Sequence, residues 1–365
     1  MREEKIKESS KQMGKQSICF ANPPVISGAA SVVGSKEGQG PYREYFDVIE
    51  EDDKLGEDTW EAAEAKLQSE AAELAIRHAG LSKKDVRYMV AGDLLGQLMA
   101  SSFGLMDLEI PLFGVYGACS TMGESLGLAA ILVDGGFAEH TIAITSSHFA
   151  SAEKQFRFPS AYSNQRPKAE TWTVTGSGAV VLTRSVRREE MEEKGEYDYL
   201  SERARAERGR VKVKGITTGK IIDYGVKDSM NMGACMAPAA GEVIVQNFVD
   251  FGYQPEHYDK IITGDLGKVG KDIVIDYVEA KGYDISRQYM DCGIEIYSEE
   301  QNAQAGGSGC GCSAVMLTGY ILKMLESGEW QRVLFVPTGA LLSQVSFNEG
   351  NSVPGIAHAV ILERV

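Results

Sequence analysis

An α/β fold assembled from two copies of one unit is the architecture that this sequence predicts. Three observations predict it. Strand-like and helix-like segments alternate along the chain, which is typical of α/β proteins with a largely parallel sheet. Several short stretches recur in the same order in the two halves. A glycine-bearing turn at Cys119 joins an apolar run to an apolar helical pattern.

The length and net charge of the chain exclude some classes of function. The chain has 365 residues, enough for two domains with sizeable cores, and 40 glycines that indicate many tight turns. Its net charge of −15 argues against nucleic acid or an acidic membrane surface as a direct electrostatic partner. We expect no bilayer-spanning segment and no signal peptide. The six cysteines are too scattered for a disulfide framework or a zinc site and are expected to be reduced.

The first elements follow from local patterns. Residues 1 to about 16 are polar, and a strand with a glycine-bearing turn is predicted over 18–33, followed by a charged loop to about residue 59. The apolar spacing from Trp60 to His78 predicts a helix that Gly80 closes. A strand is predicted over 86–91, ending in a Gly-Asp-Leu tripeptide.

Cys119 is predicted to lie on a sharp turn between a strand and a buried helix. Its small neighbours allow the bend, and the free N–H groups of the helix start would lower the pKa of the thiol or hold an anion. That is the geometry of a nucleophile. The alternative is a core cysteine packed like a small hydrophobe, and this stretch alone leaves both interpretations open.

An internal repeat supports the duplicated fold. The tripeptide at 92–94 recurs at 264–266, the turn of Cys119 recurs loosely around Cys312, and the strand predicted over 140–147 recurs over 332–339. We therefore predict two units, an N-terminal half over 17–205 that carries the cysteine turn and a C-terminal half over 206–365. A charge-rich insertion near their junction is expected to be solvated.

Several longer motifs carry a resemblance to a known family. The runs GACSTMGESL, TVTGSGAVV, ITGDLGKVG, AGGSGCGCSAV and PTGALLS resemble the stage V sporulation protein AD family, a thiolase-like family of the SpoVA system of spore-forming bacteria. The resemblance covers nearly the whole chain. It implies a thiolase-like, duplicated α-β-α-β-α layered fold with two pseudo-symmetric halves, and a homodimer, because such folds usually extend a sheet across a two-fold axis.

The same resemblance implies a function. Members of this family would bind dipicolinic acid, pyridine-2,6-dicarboxylate, and take part in moving it, with calcium, into the developing spore. The expected partners are the other SpoVA membrane proteins. The expected location is the forespore or spore, peripheral at the inner spore membrane. No cofactor and no resident metal are expected.

The wider superfamily contains thioester enzymes, so catalysis has to be considered. A condensing enzyme needs a cysteine nucleophile, a histidine with a second histidine or asparagine, and an oxyanion hole. Cys119 is the matching cysteine, and its N–H with one from the loop of Gly339 would form the hole. Asp265 and Ser308 stand near the places where the resemblance would put histidine and asparagine. The resemblance therefore implies that the pocket is retained without catalysis. Two alternatives are left open: an acyltransferase that uses Cys119 as nucleophile, and a scaffold whose pocket is vestigial.

A dicarboxylate ligand requires cations, N–H groups and an apolar slot. His148 follows a strand at the edge where α/β sites lie, and Lys154 and Arg157 come shortly after it, although an ordinary surface loop explains Lys154 at least as well. Asp93 and Asp265 would be oxygen donors if calcium enters with the ligand. The predicted ligand-binding residues are Cys119, His148, Arg157, Asp265, Ser308 and Gly339.

Overall fold

The structure is a computed structural model that describes residues 11–156, 166–185 and 210–365. Its strands are β1 Gln12–Met13, β2 Ser17–Cys19, β3 Val25–Val33, β4 Val48–Ile49, β5 Tyr88–Gly92, β6 Leu112–Gly114, β7 His140–Ser147, β8 Trp172–Thr173, β9 Gly176–Thr183, β10 Val211–Thr217, β11 Lys260–Thr263, β12 Tyr289–Asp291, β13 Gly307–Ser308, β14 Arg332–Val336, β15 Thr338–Ala340, β16 Gly355–Ala357 and β17 Ala359–Arg364. Its α-helices are α1 Trp60–His78, α2 Met99–Leu105, α3 Thr121–Asp134, α4 Phe149–Phe156, α5 Met232–Phe251, α6 Gly267–Glu279, α7 Cys292–Ile296, α8 Cys310–Met316, α9 Leu322–Ser327 and α10 Gln344–Asn348.

The strand order repeats between the two halves. In the N-terminal half the strands lie in the order β3-β9-β7-β5-β6, and in the C-terminal half the equivalent order is β10-β17-β14-β11-β12. In both halves the first two pairings are antiparallel and the next two are parallel. Each sheet is therefore mixed, and the expectation of a largely parallel sheet is wrong. The duplicated α/β fold itself is confirmed.

The halves meet edge to edge. One antiparallel pair, Lys212 with Val25, connects β10 to β3, and through it thirteen strands of the described chain are hydrogen-bonded in one continuous series. The predicted junction between residues 205 and 206, and most of the charge-rich insertion, lie outside the described residues. The halves 17–205 and 206–365 remain a prediction.

The internal repeat corresponds to equivalent positions in the fold. The tripeptides at 92–94 and 264–266 both stand where a strand ends, β5 in one half and β11 in the other. The strands that begin at His140 and Arg332 are also equivalent members of the two sheets. Local sequence similarity therefore identified matching structural units.

Two buried helices of the described chain lie at the centre. Helix α3 begins at Thr121, directly after the cysteine turn, and its apolar residues surround it almost completely. Helix α8 begins at Cys310, is buried at every position, and continues through a π-helical turn, Leu317–Ile321, into α9. Gly178 in β9 lets α8 approach closely, because a Cβ atom there would lie 2.5 Å from the carbonyl oxygen of Ala314.

Candidate functional site

The turn that carries Cys119 is sharp and firmly held. Ala118 has a φ of +50°, a left-handed conformation that a non-glycine residue adopts only where its surroundings impose it. The N–H of Thr121 donates to the Ala118 carbonyl at 3.2 Å, and the N–H of Ser120 donates to Gly117 at 3.1 Å. The hydroxyls of Ser120 and Thr121 donate to the same two carbonyls at 2.7 and 2.5 Å. The predicted turn is confirmed.

The thiol of Cys119 faces a buried carboxyl group. It hydrogen-bonds to Asp265, whose Oδ1 accepts from the Thr338 hydroxyl at 2.7 Å and whose Oδ2 accepts from the Gly309 N–H at 3.0 Å. Burial, reinforced by the charge of Asp265, raises the pKa of the Cys119 thiol well above its usual value. The prediction that the helix start lowers this pKa is wrong, because desolvation outweighs the N–H groups. Cys119 is a neutral thiol at neutral pH.

Asp265 is itself shifted towards its neutral form. The carboxyl group is 1% exposed, and burial raises its pKa to about 7, although three hydrogen bonds oppose that shift. A neutral thiol therefore lies beside a carboxyl group that is poised to change its charge near neutral pH. This pair comes from opposite halves of the chain.

Gly339 closes the site from the C-terminal half. It lies in β15, and a Cβ atom built on it would lie 3.0 Å from the Ser120 nitrogen and 3.3 Å from the Cys119 nitrogen, and closer still to the Gly117 carbonyl. Only glycine allows this approach. The structure therefore brings the Gly339 loop against the cysteine turn, which is the position that the oxyanion-hole hypothesis requires.

A narrow pocket leads away from Cys119. Its cavity volume is about 30 Å³, and its lining is mainly apolar: Leu94, Tyr116, Ala118, Cys119, Ala152, Glu153, Phe156, Thr173, Met232, Ser308, Gly309, Ala340 and Leu342. The pocket shares Leu94, Tyr116, Phe156 and Leu342 with an adjoining groove of about 550 Å³. Cys119 therefore lies at the base of a constriction that opens into a groove large enough for a small organic molecule.

The predicted site residues separate into two groups. Cys119, Asp265, Ser308 and Gly339 are brought together around this pocket. His148 is not. It follows β7 as expected, but its Nε2 contacts the Asp53 carbonyl at 2.7 Å and its Nδ1 accepts from the Ala150 N–H at 3.1 Å. These two bonds hold the ring away from the pocket, and burial lowers its pKa.

The two basic residues predicted after His148 do not line the pocket in the part of the chain that the structure describes. Arg157 lies outside the described residues. Lys154 is 60% exposed and pairs with Glu61 at 2.5 Å, as expected for a surface residue, but it lies in helix α4 and not in a loop. Arg166 was not predicted as a site residue, but it donates a hydrogen bond to the pocket-lining Glu153 at 2.9 Å. Apart from its charge, no pattern in the polar segment around Arg166 distinguished it.

A buried polar network lies directly behind the pocket wall. Asp93 accepts hydrogen bonds from the N–H groups of Leu95 and Ser101, both at 2.8 Å, and from the Ser101 hydroxyl at 2.6 Å. Glu64 accepts from the hydroxyls of Ser146 and Ser151 at 3.0 and 2.5 Å. Burial, followed by the charge of Asp93, raises the pKa of Glu64 to about 8. Three bonds already engage the oxygens of Asp93, so its proposed role towards calcium has to compete with them.

Over 11–156, 166–185 and 210–365, no cluster of three or more His, Cys, Asp and Glu side chains is arranged to hold a metal ion. Within the same ranges, no helix combines the length and the apolar character needed to cross a membrane.

Solved structures define the class of fold. The chain superposes on 3-oxoacyl-[acyl-carrier-protein] synthase III from Aquifex aeolicus with a TM-score of 0.55 and 14% identity, covering 93% of this chain and 99% of that one. It superposes on acetamide-bound OleA from Xanthomonas campestris with a TM-score of 0.57 and 13% identity, covering 94% and 99%. The fold is therefore that of the thiolase-like enzymes.

Sequence comparison defines the family within that class. The family model described as stage V sporulation protein AD (SpoVAD) matches residues 14–363. The stage V sporulation protein AD of Bacillus subtilis is 40% identical over 354 residues, which cover 97% of this chain and 98% of the relative. The chain belongs to the stage V sporulation protein AD family, a family of sporulation proteins with a thiolase-like fold.

Proposed function

We propose that this protein binds dipicolinic acid without catalysis and serves its uptake, with calcium, into the developing spore. The observation that carries the proposal is the position of Cys119, which is buried in the wall of the pocket beside the carboxyl group of Asp265. A condensing enzyme needs a thiolate and a base, and among the described residues no histidine lines the pocket. Binding without catalysis requires only a cavity that fits the ligand and polar groups that contact it.

The shape and lining of the site suit a flat dicarboxylate. The groove has about 550 Å³, and Tyr116 and Phe156 give it aromatic walls at the entrance to the constriction. The pKa of the Asp265 carboxyl group is raised to about 7, so this group can take up a proton when a negatively charged ligand binds beside it. At the cysteine turn the N–H groups of Ser120 and Thr121 are bonded within the turn, so the N–H of Cys119, close to Gly339, is the donor proposed for a carboxylate.

Calorimetric titration with dipicolinate tests the proposal. Cys119→Ala is expected to weaken binding modestly, by about 1 kcal/mol, because one weak polar contact is lost. Cys119→Leu is expected to abolish binding, because the larger side chain fills the constriction. Cys19→Ala, a half-buried cysteine of β2 that does not line the pocket, is the matched control and should bind like wild type. Absence of binding to the wild-type protein would refute the function.

An acyltransferase is the second candidate. The structural relatives include a 3-oxoacyl-[acyl-carrier-protein] synthase, and Cys119 occupies a strained turn of the kind that presents nucleophiles. Intact-protein mass spectrometry after incubation with acetyl- or malonyl-coenzyme A separates the candidates. A stable acyl adduct on wild type that is missing from Cys119→Ala would favour the enzyme and overturn the non-catalytic proposal.

We also propose that the protein works beside the other SpoVA membrane proteins, peripheral at the inner spore membrane. Its membership of a sporulation family supports this setting. The net charge of −15 favours contact with those proteins over direct contact with acidic lipids.

A homodimer is proposed from the edge of the N-terminal sheet. Strand β6 is an edge strand, exposed at each of its residues, and Leu112 and Phe113 are 40% and 49% exposed. The neighbouring Phe103 and Met106 are more than 60% exposed. An unpaired, apolar edge of this kind is suited to pairing with a second copy.

Light scattering at micromolar concentration is expected to give the mass of a dimer. Phe113→Glu should reduce it to that of a monomer, because a charge is then buried at the proposed contact. Val249→Glu, which changes an apolar residue on α5 that is 60% exposed, should leave the dimer intact. A monomeric wild type would contradict the proposal.

A further inference from the structure

Arg166 is held behind the pocket wall by carboxylates. Its Nη2 donates to Oε1 of Glu153 at 2.9 Å, and its Nη1 donates to Oε1 of Glu170 at 3.0 Å. The three side chains are 10%, 6% and 1% exposed, respectively. Charge-assisted hydrogen bonds at this degree of burial are strong and directional.

Glu153 links this cluster to the pocket. It lines the cavity beside Cys119, and the guanidinium that it holds belongs to a residue that does not itself line this cavity. The group that Arg166 binds at the pocket wall is therefore a carboxylate. A carboxylate of a ligand in the pocket can accept hydrogen bonds from the same guanidinium N–H groups.

The position of Arg166 does not depend on Glu153 alone. Its guanidinium lies 4.7 Å from the ring centre of Trp172 and 5.2 Å from that of Phe149. Its Nη1 also donates to the Thr171 carbonyl at 3.4 Å. Glu170 and these contacts would keep the guanidinium in place if Glu153 turned away.

We infer that Glu153 is an internal stand-in for the ligand. In the unliganded chain it occupies the Nη2 donor of Arg166, and a carboxylate of the bound ligand replaces it there. Arg166 then determines specificity for a carboxylate, and Glu153 sets the affinity by competing for the same donor. This inference rests on the proposed binding of a dicarboxylate, which Arg166 recognises and with which Glu153 competes.

Calorimetry with dipicolinate and two variants tests the exchange. Glu153→Gln keeps the size of the side chain but removes its charge, so the affinity for dipicolinate is expected to rise about tenfold. Arg166→Lys keeps the charge but loses the planar fork, so the affinity is expected to fall about tenfold. In the double variant the gain from Glu153→Gln should disappear, because the donor that it frees is no longer a guanidinium.

Two controls separate recognition from general effects of charge and folding. Pyridine-2,6-dicarboxamide, the uncharged analogue, should not gain affinity from Glu153→Gln. Glu61→Gln removes a carboxylate that pairs with Lys154 on the neighbouring surface, and it should change dipicolinate affinity less than about twofold. Thermal unfolding of each variant establishes that it is folded.

The outcomes distinguish this inference from the proposed function. If wild type binds dipicolinate and Glu153→Gln leaves its affinity unchanged or lowers it, the exchange is overturned and the function stands. A gain that Arg166→Lys does not remove, or that the diamide shares, also overturns it. Binding to neither protein would overturn both proposals.

Discussion

Gly339→Ala is expected to destabilise the protein by about 3 kcal/mol and to disrupt the cysteine turn. The added Cβ atom would lie 3.0 Å from the Ser120 nitrogen and would overlap the Gly117 carbonyl. These are backbone atoms, so no side-chain rotation relieves the clash. Either β15 moves away or the turn of Ala118 opens, and both changes alter the surroundings of Cys119.

Chemical denaturation and thiol labelling measure these two consequences. The variant should unfold at lower denaturant, and Cys119, which is 7% exposed in the native chain, should react faster with a thiol reagent. Gly96→Ala is the matched control, because the nearest atom to its added Cβ lies 4.0 Å away. Equal stability and equal labelling of Gly339→Ala and wild type would show that β15 does not press against the turn.

The features that the sequence predicted well are local or repeated. Helix α1 has the bounds that its apolar spacing predicted, Trp60–His78, and β7 has those predicted from the repeat, His140–Ser147. The strand predicted over 86–91 spans Tyr88–Gly92, so its start is displaced by two residues and its end by one. Strand direction was not predictable in the same way, because a strand that is buried on both faces has the same apolar sequence pattern in a parallel pair as in an antiparallel pair.

The electrostatics of the site were not predictable because they depend on distant residues. The pKa of Cys119 is governed by burial and by Asp265, which lies in the other half of the chain. His148 stands at the expected strand end, but a carbonyl at Asp53, in a loop without periodicity, decides where its ring points. Arg166 is separated in sequence from Glu153 and became a candidate only through their contact.

Stability is expected to fall as the pH rises from about 5 to 9. Burial raises the pKa of Glu64 to about 8 and those of Asp265 and Glu37 to about 7, from ordinary values of 4.5, 3.8 and 4.5. Between the ordinary and the raised values the folded chain holds protons that the unfolded chain has released. The stabilisation is therefore complete below the ordinary values and is lost as the pH passes the raised ones.

Glu64 should contribute strongly to this decline, because burial and the neighbouring charge of Asp93 favour its protonated form in the folded chain. Thermal unfolding of wild type at intervals between pH 5 and 9 measures the decline. Glu64→Gln imitates the protonated side chain, so its melting temperature should fall less steeply with pH. Glu73→Gln changes an exposed carboxylate on the same helix and should follow the wild-type curve. A wild-type melting temperature that is constant or rises between pH 6 and 9 would mean that Glu64 is ionised in the fold, and that the polar network behind the pocket carries two negative charges.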